Sequence, residues 1–366
     1  MAIRSLIAPT VVMLAAWVSA ADARAAQDPI ALARSGTSAI ADERFGDALE
    51  AFTKAAAIEP GDASFCFGAG VAAFMLGRND VAQTRFERAL ALKPNYLPAA
   101  VWLGDLHYRA GRLAEAISVY EAAQQWSPNA REIREPLANW RKEQALQRRF
   151  HEVQTEHFTA LFETAGDEPV ARDVGARLEA AYSRVGSMLG VYPSRRITVV
   201  LYSREQFSDI TGLAAWSAAA YDGRIRVPLG ETREQHDDLD RVLSHEFVHA
   251  VVAMIGGRTV PAWVNEGLAT ALEPAGAYDV EATSTRSDAQ PELSKLHRSF
   301  VGFGRRDAEI AYASAAGAVR RLLDQRGAAA VVALLKDLAG GAPFTSAFRQ
   351  RIEMRYEDFA ALAARQ

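Results

Sequence analysis

Two histidines stand four residues apart with a glutamate beside the first, in the segment His245-Glu246-Phe247-Val248-His249. On a helix, residues four apart share a face, so both imidazoles can turn toward one metal ion. Glu246, one step round the helix, can then reach a water beside that ion. Two ligands leave such a site incomplete, and farther along the chain Glu266 offers a carboxylate. A carboxylate returning from a neighbouring helix completes a His, His, Glu set with one position open, the donor set of catalytic rather than structural zinc, one ion per chain. Glu273 is the competing carboxylate. Cys66 is the only cysteine, which excludes a thiolate-rich closed site and any intramolecular disulfide.

The elements that must hold these residues are legible in the apolar spacing. Leu239, Val242, Leu243, Phe247, Val251 and Ile255 recur with helical period, which predicts a helix over 237–255. Gly256 and Gly257 stop it, and Pro261 suits the start of a second helix that carries Glu266. Upstream of about residue 150 the composition differs; after it the pattern is mixed α/β. A strand is expected over 155–162 and a helix over 168–189, where Gly175 and Gly186 permit close packing. A buried strand follows over 197–202. After a turn at Gly223, residues 224–227 alternate charged and apolar side chains, predicting a strand with Arg224 and Arg226 facing solvent. Asp237, Asp238, Thr270 and Glu273 are possible acceptors for the outer ring N–H groups of the two histidines.

The segment Trp263-Val264-Asn265-Glu266-Gly267-Leu268-Ala269-Thr270, taken with the His-Glu-x-x-His motif, resembles the glutamate-zincin peptidases, the clan of thermolysin-like and M1-aminopeptidase-like enzymes. The nearer likeness is to the bacterial peptidase-MA-like branch, in which repeats precede a compact catalytic unit. The resemblance implies a small twisted sheet, the motif helix beneath it, and a helical C-terminal half closing the cleft. It also implies that an edge strand, here residues 224–229, pairs with an extended substrate. Glu246 is expected to be the general base in peptide-bond hydrolysis. Tyr312 is the candidate for the oxyanion donor, because similar peptidases place a tyrosine on a helix after the third ligand; a tyrosine packed in the core is the alternative. His297 is a weaker candidate for that donor, its default reading being a solvated histidine. No Gly-x-Met-Glu-Asn segment precedes the motif, which argues against aminopeptidase activity.

The first half keeps a 34-residue period. Gly36, Gly70 and Gly104 recur, as do Ala48, Ala82 and Ala116; Phe52, Phe86 and Tyr120; Ala55, Ala89 and Ala123; and Pro60, Pro94 and Pro128. Each unit reads as two antiparallel helices, with small residues allowing close approach, the aromatic filling the gap and the proline ending the second helix. This pattern resembles the tetratricopeptide repeat family, although Ala100 stands where that family often has tryptophan. The likeness implies a concave surface for a protein or peptide partner. Residues 136–150, with Leu137, Trp140 and Leu146, are expected to cap the last repeat and lead into the next unit.

Composition bounds these readings. A chain of 366 residues, 49% hydrophobic, supports more than one core. A net charge of −4 gives no broad attraction to nucleic acid or to an anionic membrane. Arg4, the apolar run Leu6 to Val18 and the small residues after it predict a signal peptide over 1–25, and hence an exported, periplasmic or extracellular protein without a stable membrane span after cleavage. The expected architecture is multidomain: an all-α tetratricopeptide-repeat domain over 30–135, a cap and linker over 136–150, and an α/β (α+β) zincin-like metallopeptidase domain over 151–366. The expected function is zinc-dependent peptidase. The alternative from another class is a repeat-based adaptor or chaperone whose zincin domain is catalytically idle.

Overall fold

The computed structural model describes residues 28–211, 219–229, 239–274, 292–300 and 303–363. The expected signal segment, Asp237 and Asp238 lie outside them. Three antiparallel helix pairs come first: α1 (Pro29–Ala41) with α2 (Phe45–Ile58), α3 (Ala63–Met75) with α4 (Asn79–Leu92), and α5 (Leu97–Arg109) with α6 (Leu113–Trp126). The recurring glycines explain how closely each pair packs. A Cβ on Gly36 would lie 2.7 Å from the Phe52 ring and one on Gly70 2.6 Å from Phe86, and Gly104 meets the Tyr120 ring in the same way. Each pair turns through a left-handed residue, Glu43, Gly77 and Gly111 in order.

Helix α7 (Arg131–Gln147) seals the open end with Leu137 and Trp140, both buried; Trp140 stacks on Tyr108 at 4.8 Å between centroids. It begins five residues before the expected boundary at 136. Pro136 sits in its second turn, where it removes one backbone hydrogen bond without ending the helix.

The chain then forms a five-stranded sheet in the order β1-β2-β3-β5-β4. Its strands are β1 (His151–Gln154), β2 (Phe158–Phe162), β3 (Ile197–Tyr202), β4 (Ala220–Tyr221) and β5 (Ile225–Pro228). The strand expected over 155–162 starts at 158, because Thr155 N–H bonds back to the Phe158 carbonyl at 2.9 Å and closes a hairpin with β1. Strands β2, β3 and β5 run parallel, and the two outer pairings are antiparallel. Along β3 the side chains alternate between two covered faces, which is why Ile197 to Tyr202 is apolar throughout. Val199 and Leu201 meet helices α8 (Glu168–Leu189) and α10 (Leu239–Gly256). Val200 and Tyr202 meet Phe207 of α9 (Arg204–Thr211) and Phe150.

Two expectations about β5 are overturned. It is not the edge strand, since β4 pairs along its outer side. Nor do its arginines face water: Arg224 is 5% and Arg226 1% exposed, because both meet Glu143 of α7, itself fully buried. Arg226 Nη1 donates to Glu143 at 3.0 Å and to the Tyr202 hydroxyl at 2.7 Å, and Tyr108 donates to Glu143 at 2.8 Å. A carboxylate from the cap helix and an arginine from the sheet thus neutralise one another where neither meets water, joining repeats and sheet.

The C-terminal part is helical, as expected: α11 (Ala262–Ala271), α12 (Arg305–Gly340, broken at Gly327), α13 (Phe344–Ile352) and α14 (Tyr356–Ala363). Trp263 of α11 is fully buried among Phe344, Tyr356 and Phe359, with centroids 6.1–6.2 Å away. His297, expected in solvent, is half-buried against the same group, 4.9 Å from Phe344, and burial pushes its pKa down.

Candidate functional site

Helix α10 carries its apolar residues into the core beneath the sheet, where Phe247 and Val251 are fully buried. That anchoring turns the opposite side, with His245 and His249, toward an open cleft. Gly257 adopts φ +69° just past the helix end, and the chain reverses into α11 with Pro261 as its N-cap. Gly267 lets α11 lie against α12, since a Cβ there would come within 2.5 Å of the Ala315 carbonyl. Glu266 is thereby brought back over the two imidazoles.

One Glu266 oxygen, Oε2, lies 3.5 Å from His245 Nε2 and 3.4 Å from His249 Nε2, and the nearest donor atoms of the three residues fall within 4.8 Å of one another. That oxygen is buried and has no hydrogen-bond partner. The other ring nitrogens are engaged behind the site: His245 Nδ1 with Glu273 Oε1 at 2.8 Å and His249 Nδ1 with Asn265 Oδ1 at 3.0 Å. With both acceptors facing Nδ1, a neutral ring at either position would carry its proton there and present an Nε2 lone pair to Glu266. In that neutral form three electron-rich atoms converge on one point, and His245, His249 and Glu266 could hold a metal ion.

The electrostatics make the same three groups mutually stabilising, with the imidazoles favoured as cations beside the carboxylates. Burial alone would lower the His245 pKa, but Glu266 and Glu273 outweigh it and raise it to about 10. Burial would raise that of Glu266, yet the two imidazoles hold it down at about 2. Glu246, 8% exposed, lies on the same helix beside the set; its burial pushes its carboxyl upward against the pull of His249 and His245. Tyr312 of α12 lies across from His245, with ring centroids 6.2 Å apart, and packs on Phe300. His245, Glu246, His249, Glu266 and Tyr312 share one cavity of ≈ 950 Å³.

Every site residue named from the sequence thus falls in one cleft. Of the four possible outer acceptors, Glu273 serves His245, whereas Thr270 is buried and makes no bond to either ring among the hydrogen bonds of the described residues. Asn265 escaped the sequence reading. Its signal was available, since it directly precedes Glu266 and so lies on the turn that faces α10.

Comparison with known proteins bears on the repeats. The tetratricopeptide repeat family model matches residues 33–80 and 67–130. Among solved structures, the first repeat domain of Spaghetti (RPAP3), bound to the HSP90 peptide SRMEEVD, is 23% identical over 33% of this chain and 98% of its own, with a TM-score of 0.31. No curated protein matches the chain. Residues 33–130 are tetratricopeptide repeats.

Proposed function

Because tetratricopeptide repeats precede a unit that gathers two imidazoles and a carboxylate, we propose that the chain is an exported zinc-dependent peptidase with a catalytic unit of the glutamate-zincin kind. The observation that carries this reading is Glu266 Oε2, buried without a hydrogen bond and 3.4–3.5 Å from two imidazole nitrogens. Such an arrangement calls for positive charge among the donors, which a metal ion supplies when the imidazoles are neutral and protons supply when they are not. Those two separations suit a metal ion: about 3.4 Å is the edge of a tetrahedron whose corners stand about 2.1 Å from its centre, the distance zinc takes to nitrogen and oxygen ligands. His245, His249 and Glu266 would hold the ion.

Zinc, when bound, supplies Lewis acidity that acidifies water and polarises a carbonyl. Glu246, desolvated beside the set, takes the proton of the attacking water and delivers it to the leaving amine. The Tyr312 hydroxyl is the donor for the developing oxyanion on the opposite side. Glu273 and Asn265 keep the imidazoles in the tautomer that presents Nε2.

The test combines elemental analysis with cleavage-site mapping on a diverse peptide library. Glu246→Gln is expected to keep zinc and to lose about 10³-fold in turnover, the scale of a missing general base. Glu266→Ala is expected to purify with little metal. Equal cleavage by wild type and Glu246→Gln rejects the mechanism, and undiminished zinc in Glu266→Ala rejects the ligand set. A second reading, the adaptor with an idle unit, is favoured by the family match, which lies wholly within the repeats. Zinc-loaded wild type that leaves every library peptide intact decides for it.

A further inference from the structure

The chain carries a net charge of −4, yet the approach to the His, His, Glu set is basic. The cavity runs from that set along α10 to the repeat turns at Gly77 and Asn79 and at Arg109 to Gly111. Its floor is the α10 stripe His245, His249 and Ala253, one face by four-residue spacing, followed by Gly257 just past the helix end. At 1.5 Å per residue, Gly257 lies about 12 Å beyond His249. There the β4–β5 hairpin tip, Gly223, abuts the Arg109 carbonyl too closely for any side chain, so hairpin and repeat turn make one continuous wall.

Five arginines line this space: Arg109, Arg195, Arg196, Arg224 and Arg258. Outside the site set the lining holds one acid, Asp222. Arg109 is paired with Asp105, Arg224 with Glu143, and Asp222 with Arg226. Among the described residues no carboxylate pairs with Arg195, Arg196 or Arg258. Arg196 donates to the Glu156 carbonyl at 3.2 Å and to the Gln154 amide oxygen at 3.0 Å. Arg258 donates to the Phe74 carbonyl at 2.9 Å and to Asn79 Oδ1 at 3.0 Å, and lies over the Phe74 ring at 3.8 Å. Partners of this kind orient a guanidinium without neutralising it. Burial and the nearby Arg109 accordingly lower the Arg258 pKa to about 10. Low-dielectric walls concentrate the field of such charges inside the cleft.

We infer that the far end of the cleft is a subsite for carboxylate side chains, and that the peptides taken by this protein are acidic, with Asp or Glu about four residues from the bond presented to His245, His249 and Glu266, since an extended chain advances about 3.3 Å per residue. The inference rests on the peptidase reading above and names its substrate class. Repeats and sheet build the subsite jointly, Arg258 being held by α3 and α4 residues and Arg195 standing on the loop before β3.

The test reads binding without turnover. Full-length protein carrying Glu246→Gln is titrated, at low salt and by fluorescence anisotropy, into a labelled peptide rich in Asp and Glu on both sides of its centre, and into its Asn/Gln counterpart. The acidic peptide is expected to bind about tenfold more tightly, the scale of three partly exposed charge pairs, with the advantage shrinking as salt is added. Arg195→Gln, at an exposed side chain without an ion-pair partner, is expected to remove part of that ratio, and Arg195→Gln with Arg258→Gln nearly all of it. Equal affinity for the two peptides overturns the inference. So does a preference that survives the single and double substitutions, or an oligonucleotide that displaces the acidic peptide better than the unlabelled peptide does. Failure of the underlying reading looks different: wild type then binds the acidic peptide with the expected preference and never cuts it. Wild type that cuts both peptides with the same kcat/KM overturns the acidic subsite alone.

Discussion

In the repeats one contact is made three times, a bare glycine against a ring, at Gly36 and Phe52, Gly70 and Phe86, Gly104 and Tyr120. Around the cleft each contact is made once: Glu273 on His245, Asn265 on His249, Glu143 between two arginines. The repeats distribute their specification, so an error in one unit leaves two others to hold the stack. The second unit concentrates it in single polar contacts with no substitute nearby. Damage to the two regions should therefore differ in size and in kind.

The largest effect on stability is expected at the junction. Glu143→Ala leaves Arg224 buried without its counter-charge and Arg226 with Asp222 alone, and is expected to cost about 3–5 kcal/mol by denaturant titration. A loss below about 1 kcal/mol would mean that water reaches the arginines, and the two regions are then less tightly joined than the contacts imply. Acid provides a second reading of the same contact. Burial alone would raise the Glu143 pKa, but Arg226 and Arg224 hold it below the ordinary carboxylate range. Its stabilisation is complete above the unfolded value of about 4.3 and is lost as the pH falls through the lower folded value. The Tm gap between wild type and Glu143→Ala should accordingly narrow only below about pH 4.

Next in size is the outer support of the imidazoles. Asn265→Ala or Glu273→Ala is expected to weaken zinc binding by about 10- to 100-fold in competition with a chelator, with Tm shifted little. An unaltered zinc affinity would show that the rings are held by packing alone. In the repeats, Gly70→Val forces the Phe86 ring aside and is expected to cost about 2 kcal/mol, while zinc content stays at the wild-type level. The smallest effect is a gain. Glu43 occupies with φ 58° the turn position that Gly77 and Gly111 occupy in the later pairs. Glu43→Gly is expected to add roughly 0.5–1 kcal/mol; no gain would mean that the first turn has adapted to its side chain.

Periodicity made the repeats legible because each needs a small residue, a ring and a helix stop at fixed offsets, and five positions keep the register. The helices over Glu168–Leu189 and Leu239–Gly256 and the strand over Ile197–Tyr202 were legible because their apolar spacing has one solution. The motif residues were legible because chemistry fixes their spacing on one helix. What failed was partner-dependent. Alternating charge in Arg224 to Val227 looks the same whether the arginines meet water or a buried carboxylate 83 positions away from Arg226, and only the fold distinguishes the two. His297 was misread for the same reason: its aromatic neighbours, Phe344 and Tyr356, lie far along the chain. Strand β1 was missed because His151 to Gln154 is short and mostly exposed.

Trp263 ties the C-terminal helices to the candidate site. The indole, three residues ahead of Glu266, is gripped by rings contributed by α13 and α14. Those helices supply no group to the cleft, yet they serve as the abutment against which α11 rests. Shortening the tail or placing a charge at Phe359 would let that helix tilt and swing its carboxylate off centre, undoing the cluster from behind while every residue that lines the cleft stays intact.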